Sequence, residues 1–561
     1  MSDSIDALRR YFIGASVAAS GGLLLACRTR PTDEVPTSVP DAAAAASGPS
    51  AFGAFIEVAR TGFVTVQCPQ SEMGQGIADA VGRIVADELD ADWDAVAVQL
   101  APADDAFVNP TTKRQRTANS ESIVINYELL RRAGATARAM LVAAAAQRFG
   151  VPSAELTTSA SRVTHTATGR NVGYGELAAA AAALAPPPDV RLKAPSEFRL
   201  IGKPVASKLA PAKCDGSAMF GIDVRLPNMA YAALARSPAV VSTVQSFDDR
   251  KARVLPGVVD VFRVSDGVAV VAESTWQALR ATEAVEVTYD TSKAIAADDA
   301  TIDKRLTTAL GNDAAALPGR RVGLPPYDRA ATERALASAT KRLTVDYAVP
   351  FLAHAALEPL CCTVWLKAGE CEAWAPTQQP DRAREAIAAI CGVPRDRVTL
   401  HVTLLGGGFG RKWELDFVRQ AAEIAARVRG RPVKLTWTRA QDFRHDRFRS
   451  AHRVRTRVGF GPDGRVVGMH SRSTGVDMWA YQKRPPFPGV ADPFATGQLI
   501  HDAYEIPNPY VDFAAADLPV PVGTWRSVSA SMNGFFAESA INEIAAHLRR
   551  DPVELRRERL A

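Results

Sequence analysis

Twice along this chain a β-pattern runs into a short glycine turn and then into a helical pattern. The first unit is Phe55–Gln67 ("FIEVARTGFVTVQ"), then Ser71–Gly76 ("SEMGQG"), then an apolar face at Ile77, Val81, Ile84, Val85 and Leu89. The second is Arg397–Leu405 ("RVTLHVTLL"), then Gly406–Gly410 ("GGGFG"), then Leu415, Val418, Ala422 and Ala425. Period-two alternation followed by period-3.6 recurrence predicts α/β (α+β) architecture. A glycine turn at a helix start exposes N–H groups at the positive end of the helix dipole, where an anion sits well. The same turn also serves where a backbone only needs positive φ. Spacing excludes two familiar motifs. A dinucleotide fingerprint fits Gly406 and Gly408 but fails at Arg411, and a P-loop fails because Trp413 follows Lys412. Two units suggest two cradles, gripping a cofactor with a diphosphate and a long reach.

At 561 residues several domains are expected, and 47% apolar with 23% charged residues are globular values. A net charge of +5, spread out and with few aromatics, argues against nucleic acid. The seven cysteines (27, 68, 214, 361, 362, 371 and 391) form no C-x-x-C pair and no cluster spacing. Most are expected to be buried thiols, so an iron–sulfur centre would lie on another chain. The N-terminus carries the twin-arginine pattern Arg9-Arg10-Tyr11-Phe12-Ile13 and the apolar run Phe12–Ala26, too short to span a bilayer comfortably. Export by the twin-arginine route to the periplasm is expected. "LLAC" makes Cys27 a lipidation candidate, which would anchor the protein to the membrane.

Composition and pattern divide the chain into a signal or anchor (1–27), a Pro/Ala-rich linker (28–50), a first α/β segment (51–188), a connector (189–214), a second α/β unit (215–300), a polar linker (301–340) and a final unit (341–561). A hairpin is predicted around "GPDG" (461–464), and an amphipathic helix over 533–548.

"SEMGQG", "LEPLCCTVW", "WAPTQQP", "GGGFGRK" and "VGTWRSVSASMNGFFAESAINEIA", in that order, resemble the molybdopterin-binding large subunits of molybdenum hydroxylases, the xanthine dehydrogenase/aldehyde oxidase family. The branch they resemble is that of the isoquinoline 1-oxidoreductase β-subunits. "DGSAMFGID" is similar to the entry of that family's hammerhead domain. The resemblance implies molybdenum-binding segments at 51–188 and 341–561 flanking an α/β hammerhead at 215–300. It implies molybdenum held through the pterin, in the cytosine dinucleotide form, with a [2Fe–2S] small subunit as partner and a cytochrome c beyond it. The implied activity is hydroxylation of an sp2 carbon of a small N-heteroaromatic or aldehyde with oxygen from water.

The same resemblance implies site residues. Gly74, Gln75 and Gly76, with Gly406, Gly407, Gly408, Phe409, Gly410 and Arg411, would hold the cofactor. The Phe409-Gly410 backbone would face an apical oxo group. Gln378 would donate a hydrogen bond to an oxo ligand, a task for a neutral amide. Arg526 would steady developing negative charge near metal and pterin. His354 and Glu358 lack the H-E-x-x-H order of a zinc site and read as structural groups near the site. Three departures stand out. Trp413 stands where some relatives place a substrate-contacting glutamate, and Glu414 follows one position later. "TANSES" (117–122) stands where the branch has a glycine pair. The family's "GxGE" base glutamate has no counterpart up to Ala561. The expectation is therefore a chain truncated at its C-terminal end, or completed by a separately encoded C-terminal fragment, with the apolar face of helix 533–548 lying open. The alternative is a non-catalytic homologue that keeps cofactor and partner binding.

Overall fold

The computed structural model describes residues 50–294, 297–320, 325–500 and 504–560. Arg9, Arg10 and Cys27 lie outside them. Among the described residues the first unit is a four-stranded sheet in which the inner strand Val64–Cys68 and the edge strand Val96–Leu100 run parallel. Parallel neighbours need a crossover, and helix Ile77–Leu89 supplies it. Its face at Val81, Val85 and Leu89 is fully buried against that sheet and against the long helix Tyr127–Phe149.

The centre of the molecule is a seven-stranded sheet. Its order is Val258–Val264, Gly267–Ala272, Ala230–Ala235, Val433–Thr436, Cys361–Leu366, Cys371–Ala375 and Val398–Val402. The expected separate unit at 215–300 thus contributes three strands to a sheet shared with 361–436. The join is the parallel pair 230–235 and 433–436, the first mostly and the second wholly buried, whose facing edges would otherwise be unpaired. Helices Pro380–Cys391 and Asp416–Arg427 cover it, burying Ile387, Phe417, Val418 and Ile424. The thiols of Cys362, Cys371 and Cys391 are part of this core.

A third, five-stranded sheet carries the hairpin His452–Phe460 and Val466–Gly475, turned at the predicted "GPDG". Two corrections arise here. The expected linker 301–340 contains helices Asp299–Leu310 and Arg329–Ser338, capped by Asp298 on Thr301 N–H and by Asp328 on Ala331 N–H. Each buries only two side chains, Leu306 with Leu310 and Thr332 with Leu336, so the periodic signal is faint. Helix Ala530–His547 is not open: Met532, Phe536, Ile541 and Ile544 pack into the core of this sheet, leaving Phe535 half exposed. No helix among the described residues is long and apolar enough to cross a membrane.

Candidate functional site

Three loops leave the C-terminal ends of strands and meet. Residues 69–76 follow Val64–Cys68, Pro376–Gln379 follow Cys371–Ala375, and 403–410 follow Val398–Val402. Loops beyond the carboxyl ends of parallel strands are where open α/β sheets bind ligands. The stitching is direct. Ser71 Oγ donates to Thr377 O at 2.7 Å, and Leu405 N–H to Glu72 O at 2.9 Å. Thr117 closes the ring. Its hydroxyl accepts from Ser71 N–H (2.8 Å), its N–H donates to Gln378 O (3.0 Å), and its carbonyl accepts from Gln378 Nε2 (3.1 Å). Nothing in the sequence signals Thr117, a lone threonine in "TANSES".

The two glycine turns behave differently. Gly74 N–H and Gly76 N–H donate to Glu72 Oε1 (2.9 and 3.2 Å), and Ala78 N–H donates to Glu72 Oε2 (3.1 Å). Lys213 Nζ lies 3.3 Å from the same carboxylate. Gln75 is spent inside the turn, accepting from Met73 N–H and donating to Ser71 O. So the helix N-terminus at 76–78 is filled by the chain's own anion, not left for a diphosphate. Burial pushes the Glu72 carboxyl up, but the amides of Ala78, Gly74 and Gly76 and the Lys213 charge outweigh it, leaving it below the usual range. A depressed carboxyl contributes stability above its unfolded value of about 4.3 and loses it as pH falls through the folded value. Glu72→Gln should therefore cost about 1–3 kcal/mol at pH 7. The gap to the parent should narrow below pH about 4 in denaturation curves, whereas a gap constant over pH 3–7 would mean the charge is not the stabilising feature.

The second turn keeps its amides. Gly406 N–H donates to Glu358 Oε2 (3.0 Å) and Gly410 N–H to Gln378 Oε1 (3.1 Å). Between them the N–H groups of Gly407, Gly408 and Phe409 have no hydrogen-bond partner among the described residues. The turn does not abut a helix. A 3-10 turn, Arg411–Trp413, intervenes before helix Asp416–Arg427, so the helix dipole contributes little here. Positive φ at Gly407 (90°), Phe409 (55°) and Gly410 (103°) curls the loop. Backbone that side chains would obstruct lies close on both sides. A Cβ at Gly408 would meet Gln378 Oε1 at 2.8 Å and Met73 Sδ at 3.1 Å, and one at Gly410 would meet Thr524 O at 1.7 Å.

Arg411 is turned away from the loop's open amides. It is wholly buried, with two hydrogen bonds to Asp416 (3.0 and 2.7 Å), and its Nε lies 3.0 Å from Asp446 Oδ1. Asp446 also holds His354, whose Nδ1 is 3.0 Å away and whose Nε2 donates to Thr524 O at 3.1 Å. Burial raises the Asp446 carboxyl, yet the His354 hydrogen bond and the Arg411 charge leave it lowered. Lys412, equally buried, is paired to Glu358, which also accepts from Ile222 N–H at 3.0 Å. Glu414 is pushed above the usual carboxyl range by burial and by Asp416. Arg526 is exposed, two residues past the Thr524 carbonyl that packs on Gly410, and has no hydrogen bond or ion pair among the described residues. Its neighbour Trp525 keeps a buried Nε1 with no hydrogen-bond partner among the described residues. Among the described residues the open donors that lie side by side are the loop amides and the second Nε2 proton of Gln378, whose Oε1 accepts from Gly410 N–H. That donor set suits an acceptor-rich group approached by bare backbone, as a pterin cofactor would be.

Residues 318–560 match a family described as a molybdopterin cofactor-binding domain, and 34–224 match a second family of the same description. The chain is 30% identical to the isoquinoline 1-oxidoreductase subunit beta of Brevundimonas diminuta, over 90% of this chain and 69% of that one. It is also 30% identical to the membrane-bound aldehyde dehydrogenase [pyrroloquinoline-quinone] of Gluconacetobacter polyoxogenes, over 90% of this chain and 66% of the relative. Among solved structures, quinoline 2-oxidoreductase from Pseudomonas putida 86 aligns with a TM-score of 0.47 at 20% identity, over 63% of this chain and 49% of that one. With both molybdopterin-binding families matched and the first relative covered across more than two thirds of its length, the chain belongs to the molybdenum hydroxylase family, among its molybdopterin-binding large subunits.

Proposed function

We propose that this chain is the cofactor-holding subunit of an exported oxidoreductase that hydroxylates an sp2 carbon of an N-heteroaromatic compound or an aldehyde. The added oxygen derives from water, and the electrons pass to a [2Fe–2S] partner subunit and then to a cytochrome c. The observation that carries this reading is the contrast between the two glycine turns. One is filled by Glu72, and the other presents beside Gln378 three consecutive amides that are unpaired among the described residues. Bound there, a molybdenum–pterin group, in cytosine dinucleotide form, would supply the redox chemistry and a water-derived nucleophile.

The chain's own residues then have distinct tasks. The amides of Gly407–Phe409 donate to the group's acceptor atoms. Gln378 is fixed through Oε1 by Gly410 N–H and through Nε2 by Thr117 O, so its remaining proton has one direction in which to donate. Arg411 and Lys412 set the loop's shape from inside the protein through Asp416, Asp446 and Glu358. Arg526, at the rim, offers a mobile-length positive charge to an anionic portion of cofactor or substrate.

Metal and cofactor analysis of the chain purified from its own cell envelope tests the reading. Molybdenum with a pterin nucleotide is the expected result, and co-purification of an iron–sulfur chain is expected with it. Pyrroloquinoline quinone without molybdenum, as the second relative's name would suggest, sinks it. In the same preparation the variant with Arg9 and Arg10 both changed to lysine should be missing from the periplasmic fraction, and its normal recovery there would end the twin-arginine proposal. Palmitate labelling that survives Cys27→Ala would end the lipidation proposal.

A further inference from the structure

The buried ring of His354 sits between two acceptors. Its Nδ1 lies 3.0 and 3.2 Å from the carboxylate oxygens of Asp446, and its Nε2 lies 3.1 Å from the carbonyl oxygen of Thr524. The carbonyl can only accept. The carboxylate is crowded by donors as well: His354 N–H at 2.6 Å, Arg447 N–H at 2.7 Å and Arg411 Nε at 3.0 Å. Burial raises the Asp446 carboxyl, but the His354 contacts and the Arg411 charge leave it below the usual range, so it too is an acceptor. A neutral imidazole has one N–H and one bare nitrogen, and it satisfies only one of these two contacts. The imidazolium satisfies both.

The charges that face the ring support the cation. Asp446 lies just beyond helix Arg439–Arg444, Asp442 within that helix, and Glu414 just past the turn Arg411–Trp413. Asp442 is paired with Arg439, and Glu358, on the same segment as His354, with Lys412. The nearest cation, Arg411, is met by Asp416, which leaves Asp446 to balance His354. Arg449 lies beyond the Trp525 ring, 5.8 Å from its centroid, and that ring is 6.3 Å from the imidazole.

The Thr524 carbonyl held by His354 is the atom that packs on Gly410. Arg526 follows two residues later, and then Ser527 and Val528 take φ of 69° and 49°. A β-branched residue is strained there and stays only where its surroundings hold it. The entry to this turn is held by Gly523 N–H on Phe448 O (3.1 Å) and by the His354 bond.

We propose that His354 is a positioning residue that works as an imidazolium, donating at both nitrogens to pin the Thr524 carbonyl and the Arg526 turn against the glycine loop. On deprotonation the remaining proton stays with Asp446, the stronger acceptor, and a bare Nε2 faces the carbonyl. The tether is therefore present at low pH and is lost as rising pH deprotonates the ring. Release of a bound pterin group as a consequence rests on the redox reading of the glycine loop, whereas the tether itself does not.

Nitrogen NMR of the histidine-labelled full chain tests the charge, with the His354 signals assigned by their loss in His354→Gln. Both ring nitrogens are expected to carry protons at pH about 7. One bare nitrogen there overturns the proposal. Amide exchange of residues 522–528, corrected for its intrinsic pH dependence, tests the tether in the parent alone, whether or not the variant folds. Protection is expected to fall about tenfold between pH about 6 and about 10, the worth of one charge-assisted bond, and to be low and flat in His354→Gln. A flat profile in the parent, or a variant as protected as the parent at the lower pH, overturns it. Molybdenum retained through gel filtration is expected to drop over the same range, and equal retention while the turn loosens overturns the link to the cofactor. A parent without molybdenum at every pH counts against the redox reading, and the first two measurements still decide the tether.

Discussion

Replacing Gly410 with alanine is expected to lower stability by at least ~3 kcal/mol and to empty the protein of molybdenum. Two costs combine. The residue sits at φ 103°, where a side chain is strained by about 1–3 kcal/mol. Its Cβ would also lie 1.7 Å from the Thr524 carbonyl oxygen. That atom is backbone, and it is itself held by His354 Nε2, so it cannot swing aside like the end of a flexible side chain. Relief requires the loop or the 523–525 segment to move, and either movement displaces the open amides of Gly407–Phe409. Gly74→Ala is the control. Its φ is 100°, but nothing lies within 4 Å of the new Cβ, so only the conformational cost of about 1–3 kcal/mol applies. Urea denaturation and metal content of the two variants decide the matter. If Gly410→Ala is no worse than Gly74→Ala, the close approach of Thr524 is not what fixes the loop.

Glu358→Ala should be comparably severe for an electrostatic reason. Lys412 is fully buried and Glu358 is its ion-pair partner, while the same carboxylate accepts from Gly406 N–H and Ile222 N–H. Removing one partner of a buried pair strands the other charge, typically at a cost of about 3–5 kcal/mol. The orphaned amide of Gly406 adds to this at the root of the glycine loop. Changing both partners, with Glu358→Ala and Lys412→Met together, should recover much of the loss, since the stranded charge is then gone. A double variant as unstable as the single one would show that Glu358 acts through the two amides alone. Metal retention should follow stability in this series, because the pair shapes the loop without touching its three open amides.

Much of the local structure was legible in the sequence. The faces Ile77–Leu89 and Leu415–Ala425 announced helices, and the alternation in 397–405 and 454–476 announced strands. These patterns are repeated every two or four residues and each position reports on its neighbours. The helices at 299–310 and 329–338 were not legible, because two buried side chains per helix are too few to make a period. The sheet shared by 230–235 and 433–436 was hidden for another reason. Strands buried on both faces carry no alternation that names a partner, and only packing chooses the pair.

The site divides in the same way. By itself the sequence determined that two glycine turns follow strands, that Gly407 and Gly410 can take positive φ, and that the order of motifs is that of a molybdenum hydroxylase. Tertiary structure alone decided which turn is open. Glu72 folds back on the amides of Gly74, Gly76 and Ala78, while the carboxylate serving the second loop comes from Glu358, far enough along the chain to spare all but Gly406. It also decided that Arg411 faces inward to Asp416 and Asp446, that Thr117 locks Gln378, and that Arg526 stays at the surface. A glycine's freedom and a helix's period are properties of the chain at one place, whereas a donor's availability depends on whichever acceptor folding brings to it.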